Sequence, residues 1–236
     1  MSGQRALFVL TSIGEMPGIG RPTGWYADEF ATPYFALRDA GVDIDVVSIS
    51  GGAAPVDPTS LGTDEDRKPS VARMLADEDA VAAIRATRPI GEVDATDYDV
   101  VFMPGGHGVM WDFAQSETLA ALVSKAFTRG AVVGAVCHGP AGLLGAKDDA
   151  GVSILNGRRV NGFTDAEERA VELEDAMPYL LETRMREAGG IFENAGNFEP
   201  HAVRDGTLVT GQNPASVQKV ADLLLEALAD RAKAVA

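Results

Sequence analysis

Cysteine is nearly absent from this chain: among 236 residues there is one, Cys137. A lone cysteine makes no internal disulfide, which excludes a disulfide-stapled scaffold and fits a reducing compartment. Histidine is scarce too. Of the three, His138 adjoins the cysteine, while His107 and His201 stand at no recognisable metal-ligand spacing, so no metal site is expected. Positive charge is in deficit, with 20 Lys and Arg against 35 Asp and Glu and a formal charge of −15. That balance argues against a nucleic-acid surface, which needs a basic face, and against binding to anionic membranes. Long hydrophobic runs are missing as well. The N-terminal run Ala6 to Leu10 is too short for a signal core or a membrane span, so a cytoplasmic protein is expected.

What is there is an ordinary globular mixture, 46% hydrophobic and 23% charged, long enough for one α/β domain over residues 1–236. There is no internal repeat and no low-complexity linker. Segments alternate between apolar runs and helical periodicity. "RALFVL" (5–10), "VDIDVVSIS" (42–50), "ATDYDVVFMPGG" (95–106) and "AVVGAV" (131–136) read as strands. "GWYADEFATPYFALRDAG" (24–41) and "SETLAALVSKAFTRG" (116–130) read as helices stopped by glycine. Further on, a helix in "DAMPYLLETRMREAGG", short strands at "IFENAG" and "TLVTG", and a C-terminal helix from about Asn213 complete the pattern. Residues 51–70 read as a surface excursion. Short connections between alternating elements imply a mostly parallel sheet with helices on both faces.

"AVVGAVCHGPAGLL" (131–144) places Cys137 where a strand would end and small residues would open a helix. Open α/β sheets carry their ligand sites at such strand ends, and a nucleophile elbow holds its side chain out of the sheet there. A helix N-terminus would favour the thiolate, predicting a depressed pKa for Cys137. A buried structural cysteine is the competing reading, since free cysteine packs as a small hydrophobe. His138 beside it and the strand–turn–helix setting favour the nucleophile. "FMPGGHG" (102–108) ends another strand with Gly105 and Gly106, whose N–H groups, with that of His138, are expected to form an oxyanion hole.

"VVFMPGGHG", "AVCHGPAGLL", "NGFTDAEE" and "LVTGQNPAS" together resemble the ThiJ/PfpI superfamily in order and spacing. With the early "ADEFATPYFAL", the chain is similar to one branch, the glutathione-independent glyoxalase III enzymes, some described as heat-shock chaperones. The resemblance implies a flavodoxin-like core, commonly homodimeric. It places Cys137 on the nucleophile, His138 on the adjacent histidine, Glu168 on the acid paired with that histidine, and Glu29 on the glutamate beside the sulfur. Asp28 and Glu167 read as ordinary solvated helix charges. The implied chemistry converts methylglyoxal, a small reactive aldehyde, to lactate with no cofactor and no metal. Cys137 adds to the aldehyde, Glu29 moves a carbon-bound proton, and Glu29 should carry a raised pKa. Trp25, Trp111 and Met110 are expected to wall a small pocket.

The chain departs from the family's usual Thr-Gly-Phe by carrying Asn161 in "VNGFTDAEE", and "GIGRPTG" before Glu29 takes no role. An amidotransferase would need a distant His-x-Glu, whereas the second residue after His201 is Val203. The alternatives from other classes are a stress-response holdase, a redox sensor using Cys137, or a deglycase of aldehyde adducts.

Overall fold

Arg5–Leu10 forms β1, the strand its apolar run predicts. Further strands lie at Asp43–Ser48 (β2), Arg88–Pro89 (β3), Val100–Met103 (β4), Val132–Val136 (β5), Ala202–Asp205 (β6) and Leu208–Gly211 (β7). The computed structural model, which describes residues 3–235, joins them into a seven-stranded sheet in the order β6-β7-β5-β4-β1-β2-β3. All pairings in it are parallel except β6 with β7. This is the expected mostly parallel sheet.

The principal helices are α1 (Ala27–Asp39), α2 (Pro69–Ala76), α3 (Glu78–Arg85), α4 (Glu117–Thr128), α5 (Asp165–Ala170), α6 (Leu181–Glu187) and α7 (Val217–Val235). Alternation along β1 sends Ala6, Phe8 and Leu10 to one face and Leu7 and Val9 to the other. The first face packs under α1 and α7, where Phe8 meets Phe30 and Tyr34 edge-on at 5.4 and 5.9 Å. The second packs under α4 through Leu119, Leu122 and Val123. Both faces being covered explains why β1, β4 and β5 read as continuous apolar runs rather than as alternating ones. Among the described residues, no helix is long and apolar enough to cross a membrane.

Residues 51–70 run mostly over the surface, as expected, but are anchored: Trp25 N–H donates to Pro55 O, Asp57 N–H donates to Trp25 O, and Asp57 and Ser60 are buried. The Ser60 hydroxyl accepts from Ala27 N–H at 2.9 Å, satisfying a donor that the start of α1 leaves free. The helix expected across 175–190 is confined to Leu181–Glu187, because Pro178 cannot continue a helix through the preceding turn. Residues 69–85, which the pattern left without an element, form α2 and α3, with Asp77 capping the second through Ala80 N–H.

Candidate active site

β5 ends at Val136, and Cys137 turns out of it with φ of 60°, in the left-handed region that ordinary residues avoid. Holding a non-glycine residue there costs about 1–2 kcal/mol, so neighbours must enforce it. Cys137 N–H donates to Gly211 O at 2.9 Å, and Phe163 N–H donates to Cys137 O at 2.8 Å. The elbow is thus pinned by β7 on one side and by the segment entering α5 on the other. A side chain at Gly139 would place Cβ 2.1 Å from Met103 O, so only glycine fits under β4. Gly139–Leu143 is a short 3₁₀ turn, not the expected α-helix, and supplies little dipole to the sulfur.

His138 Nδ1 lies 3.3 Å from Cys137 Sγ, and its Nε2–H donates to Glu168 Oε2 at 2.7 Å. With Nε2 donating, neutral His138 presents Nδ1 to the thiol as an acceptor. Burial and the neighbouring His107 push the His138 pKa down, against the pull of Glu168. Burial works to raise the Glu168 carboxyl. His138 and His107 outweigh it and hold Glu168 well below the usual carboxylate range. His107, which stands at no recognisable ligand spacing in the sequence, lies with its Nε2 2.9 Å from Glu168 Oε1. Its one sequence signal is its place directly after Gly106 at the end of a strand.

Glu29, in the first turn of α1, is fully buried, and its Oε2 accepts from Gly105 N–H at 2.7 Å. Oε1 has no hydrogen-bond partner, and Cys137 is the neighbouring side chain that acts on the carboxyl. Burial pushes the Glu29 pKa up to about 8, against the Gly105 N–H, as the sequence reading predicts. The Cys137 expectation is reversed. Burial and then the Glu29 carboxylate push the thiol pKa well up, while the N–H groups of Gly106 and His138 only oppose the rise. Two buried acids side by side resist ionising together, so a thiolate is tolerated only while Glu29 is protonated.

The strand-end glycines divide their work. Gly105 N–H is committed to Glu29, which corrects its placement in an oxyanion hole. The N–H groups of Gly106 and His138 face the Cys137 sulfur instead. Gly106 has φ of 99°, and a Cβ there would sit 2.2 Å from Gly24 O.

A cavity of about 260 Å³ opens at Cys137, His138, His107 and Gly106. Tyr26, Asp57, Thr59 and Arg21 give it polar lining, and Phe163, Val171, Leu173, Phe198 and Pro214 give it apolar lining. Trp25, Trp111 and Met110 do not line it. Trp25 is packed against Phe30 under the sheet, and Met110 is core. Arg21 gives "GIGRPTG" a place at the site.

Asp28 and Glu167 are buried, correcting their reading as solvated charges. Asp28 accepts from the Thr32 and Ser70 hydroxyls. Glu167 binds five donors: Thr164 N–H and hydroxyl on Oε2, and Phe198 N–H, Gln212 Nε2 and Asn213 Nδ2 on Oε1. It therefore ties "NGFTDAEE" to "TGQNPAS". Asn161, the departure from the usual motif, donates its Nδ2 to His201 O at 3.1 Å and serves this scaffold rather than the sulfur.

His107, His138 and Glu168 offer ligand atoms that all lie within 4.8 Å of one another, a set that sequence spacing does not disclose. The three are already satisfied as a hydrogen-bonded unit, each imidazole on its own Glu168 oxygen. His201 stands apart near Glu193.

The chain is 29% identical to the glutathione-independent glyoxalase HSP31 of Saccharomyces cerevisiae, over 97% of this chain and 99% of the yeast protein. The crystal structure of glyoxalase III from Candida albicans superposes with a TM-score of 0.87 at 27% identity, covering 95% of this chain and 97% of that one. The Rapid Encystment Protein of Francisella tularensis superposes with a TM-score of 0.91 at 32% identity, covering 95% and 99%. The DJ-1/PfpI family model matches residues 24–227, a span that takes in Glu29, both strand-end glycines, the cysteine elbow and Glu168, and this chain belongs to that family.

Proposed function

We propose that this chain is a glutathione-independent glyoxalase of the glyoxalase III type, a lyase of the D-lactate dehydratase class that converts methylglyoxal to lactate without a cofactor. The carrying observation is the fully buried Glu29 carboxyl, fixed by Gly105 N–H at 2.7 Å, beside Cys137, which lines the cavity. Moving a carbon-bound hydrogen needs a base beside the sulfur adduct, and Glu29 is the carboxyl that stands against the thiol.

With Glu29 ionised, the sulfur of Cys137 adds to the aldehyde carbon as the thiol proton passes to the new alkoxide oxygen, giving a hemithioacetal. Glu29 is then a carboxylate of raised basicity beside the carbon-bound hydrogen, which it removes to give an enediol. Protonation of the neighbouring carbon yields a lactoyl thioester. Water cleaves that thioester, releasing lactate and restoring the thiol. His138, oriented by Glu168, exchanges protons at sulfur and the substrate oxygens, while Gly106 and His138 N–H groups face the charge. The likeness to the yeast and Candida glyoxalases over nearly the whole chain supports this reading. We extend it to a cytoplasmic, one-domain protein acting as a homodimer.

Lactate production from methylglyoxal in the absence of glutathione tests the proposal. Cys137→Ala should abolish it. A folded wild-type chain that forms no lactate overturns it.

A further inference from the structure

Among the described residues, three non-glycine positions have a positive φ: Cys137, Glu172 and Phe198. All three build the same cavity. Cys137 and Phe198 line it, and Glu172 stands between two of its lining residues, Val171 and Leu173. Strained backbone persists only where its surroundings over-determine it. At Phe198 the enforcement is visible, since its N–H donates to the fully buried Glu167 at 2.8 Å.

This strain turns apolar surface toward the cavity rather than away from water. Phe198 is 48% exposed and Val171 36%, although both are large hydrophobic side chains. Phe198 continues an aromatic wall that begins at the catalytic pair. The Phe163 ring is 4.4 Å from that of His138, and Phe198 is 6.3 Å from Phe163. The cavity, about 260 Å³, approaches the roughly 300 Å³ at which pockets take drug-sized ligands. A three-carbon oxoaldehyde fills only part of it.

We infer that the cavity is built for 2-oxoaldehydes whose carbonyl carries an aryl or branched alkyl group, seated on Phe163, Phe198, Val171 and Leu173 while the aldehyde meets Cys137. The inference rests on the glyoxalase reading and adds a substrate class to it, with Phe198 as the residue that sets the preference. The substituent covers Phe198 and Val171, which otherwise face water, so its burial favours the larger substrate.

The test compares initial rates for phenylglyoxal and methylglyoxal in wild type, Phe198→Asn and Phe198→Leu. Asn accepts the left-handed backbone and removes the ring, and Leu retains an apolar side chain. The ratio of kcat/KM for phenylglyoxal over methylglyoxal should fall about tenfold in Phe198→Asn and be largely restored in Phe198→Leu. Taking this ratio cancels any common damage to the thiol. Wild-type turnover of methylglyoxal but not phenylglyoxal, or an unchanged ratio in Phe198→Asn, overturns the inference. A chain inert to both aldehydes fails as a glyoxalase, and the cavity is then read from Cys137 alkylation by iodoacetamide. Acetophenone should slow that alkylation more than acetone does in wild type, and equal protection overturns the inference on its own.

Discussion

Glu168 holds His138 through one carboxylate oxygen at 2.7 Å and leaves the other to a second histidine, His107, at 2.9 Å. One carboxylate thus fixes the tautomer of the ring that touches sulfur and the position of a ring that lines the cavity. Glu168→Gln keeps the shape but places an amide where one imidazole N–H needs an acceptor. Turnover should fall by about 10²- to 10⁴-fold with the fold intact. Asn at His107 removes only the outer ring and should cost less. Steady-state rates on proteins checked by circular dichroism decide this, and full activity in Glu168→Gln removes the acid from the site.

The elbow is legible because its requirements are local: an apolar run covered on both faces, then small residues that permit the turn. Which acids matter is not legible in the same way. Asp28 and Glu29 are adjacent, as are Glu167 and Glu168, and periodicity does not separate them. The choice of Glu29 and Glu168 came from resemblance, and the roles of Asp28 and Glu167 appear only when distant segments close on them. His107 and Phe198 reach the cavity by the same long-range closure. The wrong wall, Trp25, Trp111 and Met110, shows the converse: Trp25 and Met110, close to the motifs in sequence, are pulled into the core, and Trp111 packs half-buried against it.

Glu167→Gln tests the clamp. Five donors converge on its two oxygens, so an amide NH₂ must face at least one of them unpaired. The variant should lose about 2–4 kcal/mol, lowering Tm by roughly 5–15 °C. Thermal unfolding that matches wild type would return Glu167 to an ordinary surface role.

The Glu29 pKa predicts a pH dependence of stability. The folded carboxyl keeps its proton up to about pH 8, whereas the unfolded one releases it near its ordinary value of 4.5. Between those limits the folded state binds more protons, so stability falls as pH rises. The loss is on the order of 3–5 kcal/mol at about 1.4 kcal/mol per pKa unit. Glu29→Gln lacks this contribution. Denaturant unfolding at pH 5 and pH 8 should therefore show the variant gaining on wild type at the higher pH. Parallel curves count against a buried, protonated Glu29.

The same coupling predicts how the thiol titrates. With Glu29 ionised, Cys137 meets both burial and a like charge, so its alkylation should rise only above the ordinary thiol range. Glu29→Gln removes the charge, and the alkylation profile should move to lower pH. A profile unchanged by the substitution would mean that the Glu29 charge does not act on the thiol.

Glu29 also separates an isomerase from a passive thiol. Sulfur can add reversibly to an aldehyde without help, but moving a hydrogen between carbons needs a base positioned at the adduct. Oε2 of Glu29 is fixed by Gly105, Oε1 is left without a partner, and the carboxyl acts on the thiol. Glu29→Gln nearly preserves volume but cannot take up that proton as a carboxylate does. Methylglyoxal addition at Cys137 should survive, while lactate formation falls by roughly 10²-fold or more. Mass measurement of the adduct, paired with a lactate assay on the same sample, separates the two steps. Wild-type lactate output from folded Glu29→Gln sinks the base assignment. Loss of the adduct as well as of lactate would instead make Glu29 a residue that positions and protonates the sulfur.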